Sequence, residues 1–141
     1  MRKLWKKMKN KQGFTLMEML IVVAIIAVLV AIAIPVYQSQ MHKAKVSADW
    51  ANLRAYYAEL QLDYLTSGAY NTNVPLIHAD TGAGQTQQKD TSTIPFLNGD
   101  KVKLQAGVYW AVWSANGGYQ LTYNCNDYGA HGTEHQLVLG G

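Results

Sequence analysis

Apolar and polar positions follow three patterns along the chain. Residues 14–36 are an almost unbroken apolar run with one charged side chain, Glu18. From Val46 the pattern becomes helical: Val46, Trp50, Leu53, Tyr57, Leu60 and Tyr64 recur at alternating steps of four and three, with Lys45, Asp49, Arg54, Glu59 and Asp63 off the stripe. Beyond Asn98-Gly99 the pattern is that of strands. Lys101-Val-Lys-Leu-Gln alternates, Val108-Tyr-Trp-Ala-Val-Trp is aromatic and β-branched, Tyr119-Gln-Leu-Thr-Tyr alternates again, and His135-Gln-Leu-Val-Leu follows.

These patterns predict an α+β domain. One helix runs from about residue 14 to 66, because no helix breaker other than Pro35 occurs before Gly68. Pro35 lacks the N–H that would bond the carbonyl of Ala31, so a kink is expected there; the alternative is that the helix ends. The stripe from Val46 covers under three heptads, and strand-like sequence follows it, which favours packing on a sheet over a coiled-coil seam. Three or four antiparallel strands form that sheet, with Asn116, Gly117 and Gly118 supplying positive φ in a hairpin turn. Residues 66–99, rich in Gly, Thr, Asn and Gln, read as a surface loop pinned to the core by Val74-Pro-Leu-Ile and Ile94-Pro-Phe-Leu. The Trp and Tyr residues are expected mainly in the core.

Charge is divided as unevenly as hydropathy. The net charge is +3, but Arg2, Lys3, Lys6, Lys7, Lys9 and Lys11 hold six of the twelve positive charges; without residues 1–13 the remainder is −3. The basicity therefore belongs to the N-terminal segment and is no nucleic-acid footprint. The single cysteine, Cys125, excludes an intramolecular disulfide and reads as a small buried apolar side chain.

As a helix, residues 14–36 would be roughly 34 Å long, enough for a hydrocarbon core of about 30 Å. Basic residues preceding the run place the N-terminus in the cytoplasm and the C-terminal bulk outside. A signal anchor explains these features, and Ala31-Ile32-Ala33 also offers a signal-peptidase site, although the run exceeds the usual length of a signal core. Neither reading accounts for Glu18, since an acidic residue at mid-membrane costs about 2.5–3.5 kcal/mol and asks for a partner.

A third reading accounts for it. Lys11-Gln12-Gly13-Phe14-Thr15-Leu16-Met17-Glu18 resembles the class III signal of type IV pilins and pseudopilins: a basic leader ending in Gly, a Phe, and a Glu four residues further, with Pro35 at the far end of the apolar helix. The resemblance implies cleavage between Gly13 and Phe14 by a prepilin peptidase, N-methylation of Phe14, and assembly roles for Phe14, Glu18 and Pro35. It implies a pilin-like fold divided into a leader (1–13), a transmembrane and assembly helix (14–36), its amphipathic continuation (37–66), a helix-to-sheet loop (67–99) and a sheet domain (100–141). The implied function is that of a structural subunit of an extracellular type IV pilus-like filament for adhesion, motility or DNA uptake. Implied partners are further copies of the chain, minor pilins, the prepilin peptidase, an inner-membrane assembly platform and, before assembly, the membrane, where the precursor is a single-pass protein. A pseudopilin of a type II secretion or competence machine is the alternative, and a signal-anchored monomeric binding domain the second. Two features depart from many family members: the apolar run has no central Gly, and the C-terminal region has no pair of cysteines.

Apart from the resemblance, helix geometry gives these residues a purpose. A cut after Gly13 makes an α-amino group at Phe14, one helical turn from Glu18, and the positive end of the helix dipole favours a carboxylate nearby.

Candidates for other chemistry are weaker. His131-Gly-Thr-Glu-His135 matches H-x-x-E-H, a zinc-peptidase pattern, but it holds a glycine, strand-like sequence follows at once, and no ligand type lies downstream. Asp127 and Glu134 are too few acidic groups for a calcium cage. Lys89, Lys101 and Lys103 make a weak attraction for DNA. The sequence accordingly predicts no catalytic residue, no metal and no cofactor.

Overall fold

The computed structural model describes residues 2–76, 92–126 and 131–141, with side chains described from Thr15 onward. Helix α1 (Arg2–Ser67) is followed by strands β1 (Thr93–Pro95), β2 (Lys101–Lys103), β3 (Gly107–Trp113), β4 (Tyr119–Cys125) and β5 (Leu137–Leu139), with a 3-10 turn (Gly132–His135) before the last. The chain forms two compact units, residues 1–41 and 42–141.

In the first unit α1 continues through Pro35. The apolar side chains from Leu16 to Val36 face outward all round the helix. Among the described residues, nothing within this unit buries them.

The second unit holds the core. Here α1 buries Val46, Asp49, Leu53, Tyr56 and Leu60. These positions lie three and four apart, so they line one helix face. The expected stripe is thus rotated: Trp50, Tyr57 and Tyr64 flank the core, only partly buried, while Tyr56 and the charged Asp49 occupy its centre. Sequence hydropathy ranks Trp above Asp; the hydrogen-bonding needs of the sheet reverse that order.

The expected α+β arrangement is present, with β3, β4 and β5 forming the three-stranded antiparallel meander, and β1 pairs with β2 in a second sheet. The expected first strand therefore pairs backward, with Val102 opposite Ile94, and Thr93–Pro95 is a strand within a segment read as loop. Pro95, with no N–H to give, is accommodated in this two-stranded ribbon. Residues 96–100 close it: the N–H of Phe96 donates to the Asp100 carbonyl at 2.9 Å and that of Gly99 to the Phe96 carbonyl at 3.0 Å. Val74, Leu76 and Ile94 are buried, as expected of residues that pin the connection to the core.

Alternation governs β3 and β4. Gly107, Tyr109 and Ala111 point inward from one, Tyr119, Leu121, Tyr123 and Cys125 from the other. Their register runs from Gly107 opposite Cys125 to Trp113 opposite Tyr119. The hairpin turn closes when the N–H of Ser114 donates to the Gly118 carbonyl at 2.9 Å, with Gly117 at φ 92° and Gly118 at φ 82°. His135, expected to start the last strand, belongs to the 3-10 turn, and β5 begins two residues later.

Tyrosines dominate the packing. Tyr56 meets Tyr109 edge to face at 6.0 Å, Tyr64 meets Tyr119 at 6.4 Å, and Tyr70 stacks on Trp113 at 4.9 Å. Each such pair adds about 0.5–1.5 kcal/mol beyond its buried area. Trp113 remains 41% exposed, so the expectation that Trp and Tyr lie mainly in the core holds better for Tyr than for Trp.

Burial pushes the phenols of Tyr56 and Tyr123 far above the usual value of 10; at Tyr123 the neighbouring Asp49 charge and hydrogen bond add to the effect. Below pH 10 both are neutral whether folded or unfolded, so they do not make stability depend on pH. Above it the unfolded chain ionises first, and stability falls as pH rises. Ultraviolet titration should show two tyrosines ionising only with the unfolding transition; smooth ionisation of all nine at ordinary values would contradict the burial.

Candidate functional site

Glu18 projects from the outward-facing apolar surface of α1 and is itself exposed. Such a helix is stable only when lipid or other helices cover it. Among the described residues, one helix is long and apolar enough to cross a membrane by length and composition. Gly13 and Phe14 fall within the span of α1, and their side chains lie outside the described ones. A peptidase acting there must first unwind a turn of helix, and Gly is the residue, Pro apart, least favourable to that helix. At Pro35 the Ala31 carbonyl loses its helical donor, while four residues on the Ser39 hydroxyl donates to the Val36 carbonyl at 2.9 Å.

Asp49 ties the amphipathic half of α1 to the sheet. One carboxylate oxygen accepts the Gln105 N–H at 2.8 Å; the other accepts the Ala106 N–H at 2.8 Å and the Tyr123 hydroxyl at 3.0 Å. Residues 104–106 connect β2 to β3, where the backbone turns out of one ladder before entering the other. Its amides need an acceptor, and the helix brings one. Two further polar contacts fasten the same helix: Glu59 accepts the Leu97 N–H at 3.1 Å, and the Asn71 side-chain amide donates to Asp63 at 3.0 Å.

The remaining candidates separate. His131 and His135 sit on and before a 3-10 turn, so the H-x-x-E-H residues are not presented as two His on one α-helical face. Glu134 is exposed, and Asp127 lies outside the described residues, as does Lys89. Lys101 and Lys103 share an exposed face of β2, two cations on a short strand. Cys125 is buried, as expected. No spacing in the sequence pointed to His42, yet its ring lies 5.2 Å from that of His135.

Residues 8–34 match the family described as the prokaryotic N-terminal methylation motif. Among curated relatives, fimbrial protein EcpB of Eikenella corrodens is 52% identical over 40 residues, 28% of this chain and 25% of that protein. Prepilin peptidase-dependent protein D of Escherichia coli K12 is 37% identical over 65 residues, 46% of this chain and 44% of that protein. The type IV major pilin protein PilE1 of Neisseria gonorrhoeae is 29% identical over 107 residues, 76% of this chain and 55% of that protein. The chain spans between about a quarter and about half the length of these relatives. No solved structure gives a significant match. The N-terminal motif, the exposed apolar helix continuing into a helix-and-sheet domain, and relatives bearing these names make the chain similar to type IV pilins and support its reading as a type IV pilin or pseudopilin.

Proposed function

We propose that this chain is the precursor of a structural subunit of a type IV pilus-like extracellular filament, cleaved between Gly13 and Phe14 and N-methylated at Phe14. The observation that carries the reading is the prepilin signal at the head of an apolar helix with no cover of its own. In the membrane, lipid covers residues 14–36; in a filament, neighbouring helices do. Residues 1–13 are the leader, and residues 37–66 are the amphipathic continuation of the helix. Head-to-tail contacts that do not close into a ring propagate as a fibre. Glu18 pairs with the amine of Phe14, in its own chain or the next. The prepilin peptidase and an inner-membrane platform act on the precursor, and minor pilins join the fibre.

Intact mass and N-terminal sequencing of the mature protein test this. The expected start is N-methyl-Phe14; a start at Met1, or near Ile34, overturns the reading. Imaging of sheared surface material then separates long fibres from the short assemblies of a pseudopilin.

A further inference from the structure

Three imidazoles and the chain's single thiol converge in the domain. The rings of His131 and His135 lie 4.5 Å apart, those of His42 and His131 4.9 Å, and those of His42 and His135 5.2 Å. A ligand atom from each of His42, Cys125 and His135 lies within 4.8 Å of the other two. Three separate segments supply them: α1, the end of β4 and the 3-10 turn.

Simple packing accounts poorly for this cluster. His135 is 9% exposed, and its Nδ1 is buried with no hydrogen-bond partner among the described residues. A buried polar atom left so is costly, and buried nitrogen is nearly always satisfied. Apolar side chains would fill the same space without that cost. Cys125, 3% exposed, has no second cysteine to join.

We propose that His42, Cys125 and His135 bind one borderline-soft transition-metal ion, with zinc the cation of first choice and His131 placed to act as a fourth ligand. Two or three imidazole nitrogens with one thiolate are the donor set of tetrahedral zinc. Bond lengths of about 2.0–2.1 Å to nitrogen and 2.3 Å to sulfur put donors roughly 3.3–3.6 Å apart. The three donor atoms therefore draw together by up to about 1.2–1.5 Å on loading. Cys125 releases its thiol proton to solvent, and His135 Nδ1 gains a partner or turns its other nitrogen to the ion. The ion clips the start of the domain's helix to the far end of the sheet, a cross-link in a chain that cannot form an internal disulfide. This assignment departs from the sequence expectation of no metal, which weighed H-x-x-E-H and the acidic pair Asp127 and Glu134 and found too few ligands at either. The missing ligands lie upstream.

Cobalt(II) provides the test, using mature full-length protein in detergent, stripped with chelator and kept reduced. One equivalent should give intense d–d absorption of a tetrahedral ion together with a thiolate charge-transfer band, and one equivalent of zinc should abolish both. Cys125→Ser should lose the charge-transfer band, and His135→Gln should weaken binding at least tenfold, each with wild-type near-ultraviolet circular dichroism. Because the wild-type spectrum is informative alone, the test survives if a variant fails to fold. Absence of the thiolate band in folded wild-type protein, or binding unchanged in His135→Gln, overturns the proposal.

Discussion

Replacing Asp49 with Leu is expected to destabilise the folded domain by about 3–5 kcal/mol, a fifth or more of the roughly 5–15 kcal/mol typical of a folded domain. Leucine matches the size of the site and its apolar neighbours, so a hydropathy argument predicts a gain. The hydrogen bonds predict the opposite. Asp49 is fully buried, and its two oxygens accept from Gln105, Ala106 and Tyr123. Removing the acceptor leaves the Ala106 amide and the Tyr123 hydroxyl buried without partners, at about 1–3 kcal/mol each. Asp49→Asn keeps one acceptor oxygen but turns an NH2 toward donors, and should fall between wild type and Asp49→Leu. Denaturant unfolding of the mature protein, followed by aromatic fluorescence, measures this; both variants within about 0.5 kcal/mol of wild type would show that the connection finds its acceptors elsewhere.

Asp49 also marks where sequence reasoning reaches its limit. The continuous helix, the β3–β4 hairpin and the buried cysteine were legible because each depends on local periodicity, on a breaker or on turn glycines at fixed offsets. The helix face was legible only to within one position. Trp50 and Tyr57 occupy the same stripe as Asp49 and Tyr56 when the helix is rotated slightly, and hydropathy favours the aromatic set. What decides is a backbone 56 and 57 positions away, at Gln105 and Ala106, whose amides require a carboxylate. The pairing of β1 with β2 was hidden for a similar reason. Ile94-Pro-Phe-Leu is short and contains a proline, so its strand exists only because Lys101–Lys103 lies beside it. His42 carries no local signal: it lies 83 positions before Cys125, and only the fold brings them together.

At the other end of the chain the sequence says more than the isolated fold. Glu18 lies exposed on an apolar helix, so its importance depends on what covers that helix. In a bilayer the carboxylate is a cost of about 2.5–3.5 kcal/mol at mid-depth and less near the interface, so Glu18→Ala should insert at least as well as wild type. The proposed filament reverses the sign. There the carboxylate is enclosed by neighbouring helices and needs the amine at Phe14, and losing one partner of a buried pair costs about 3–5 kcal/mol. Even half of that is more than a tenfold change in an equilibrium constant, so Glu18→Ala should be cleaved normally while its incorporation into fibres falls at least about tenfold. Glu18→Gln, which keeps the shape but not the charge, should resemble Ala more than wild type. Comparing sheared-fibre yield with membrane-fraction abundance separates assembly from insertion. Fibre yield unchanged in both variants, with the precursor normally cleaved, would remove the pairing role and leave the carboxylate unexplained.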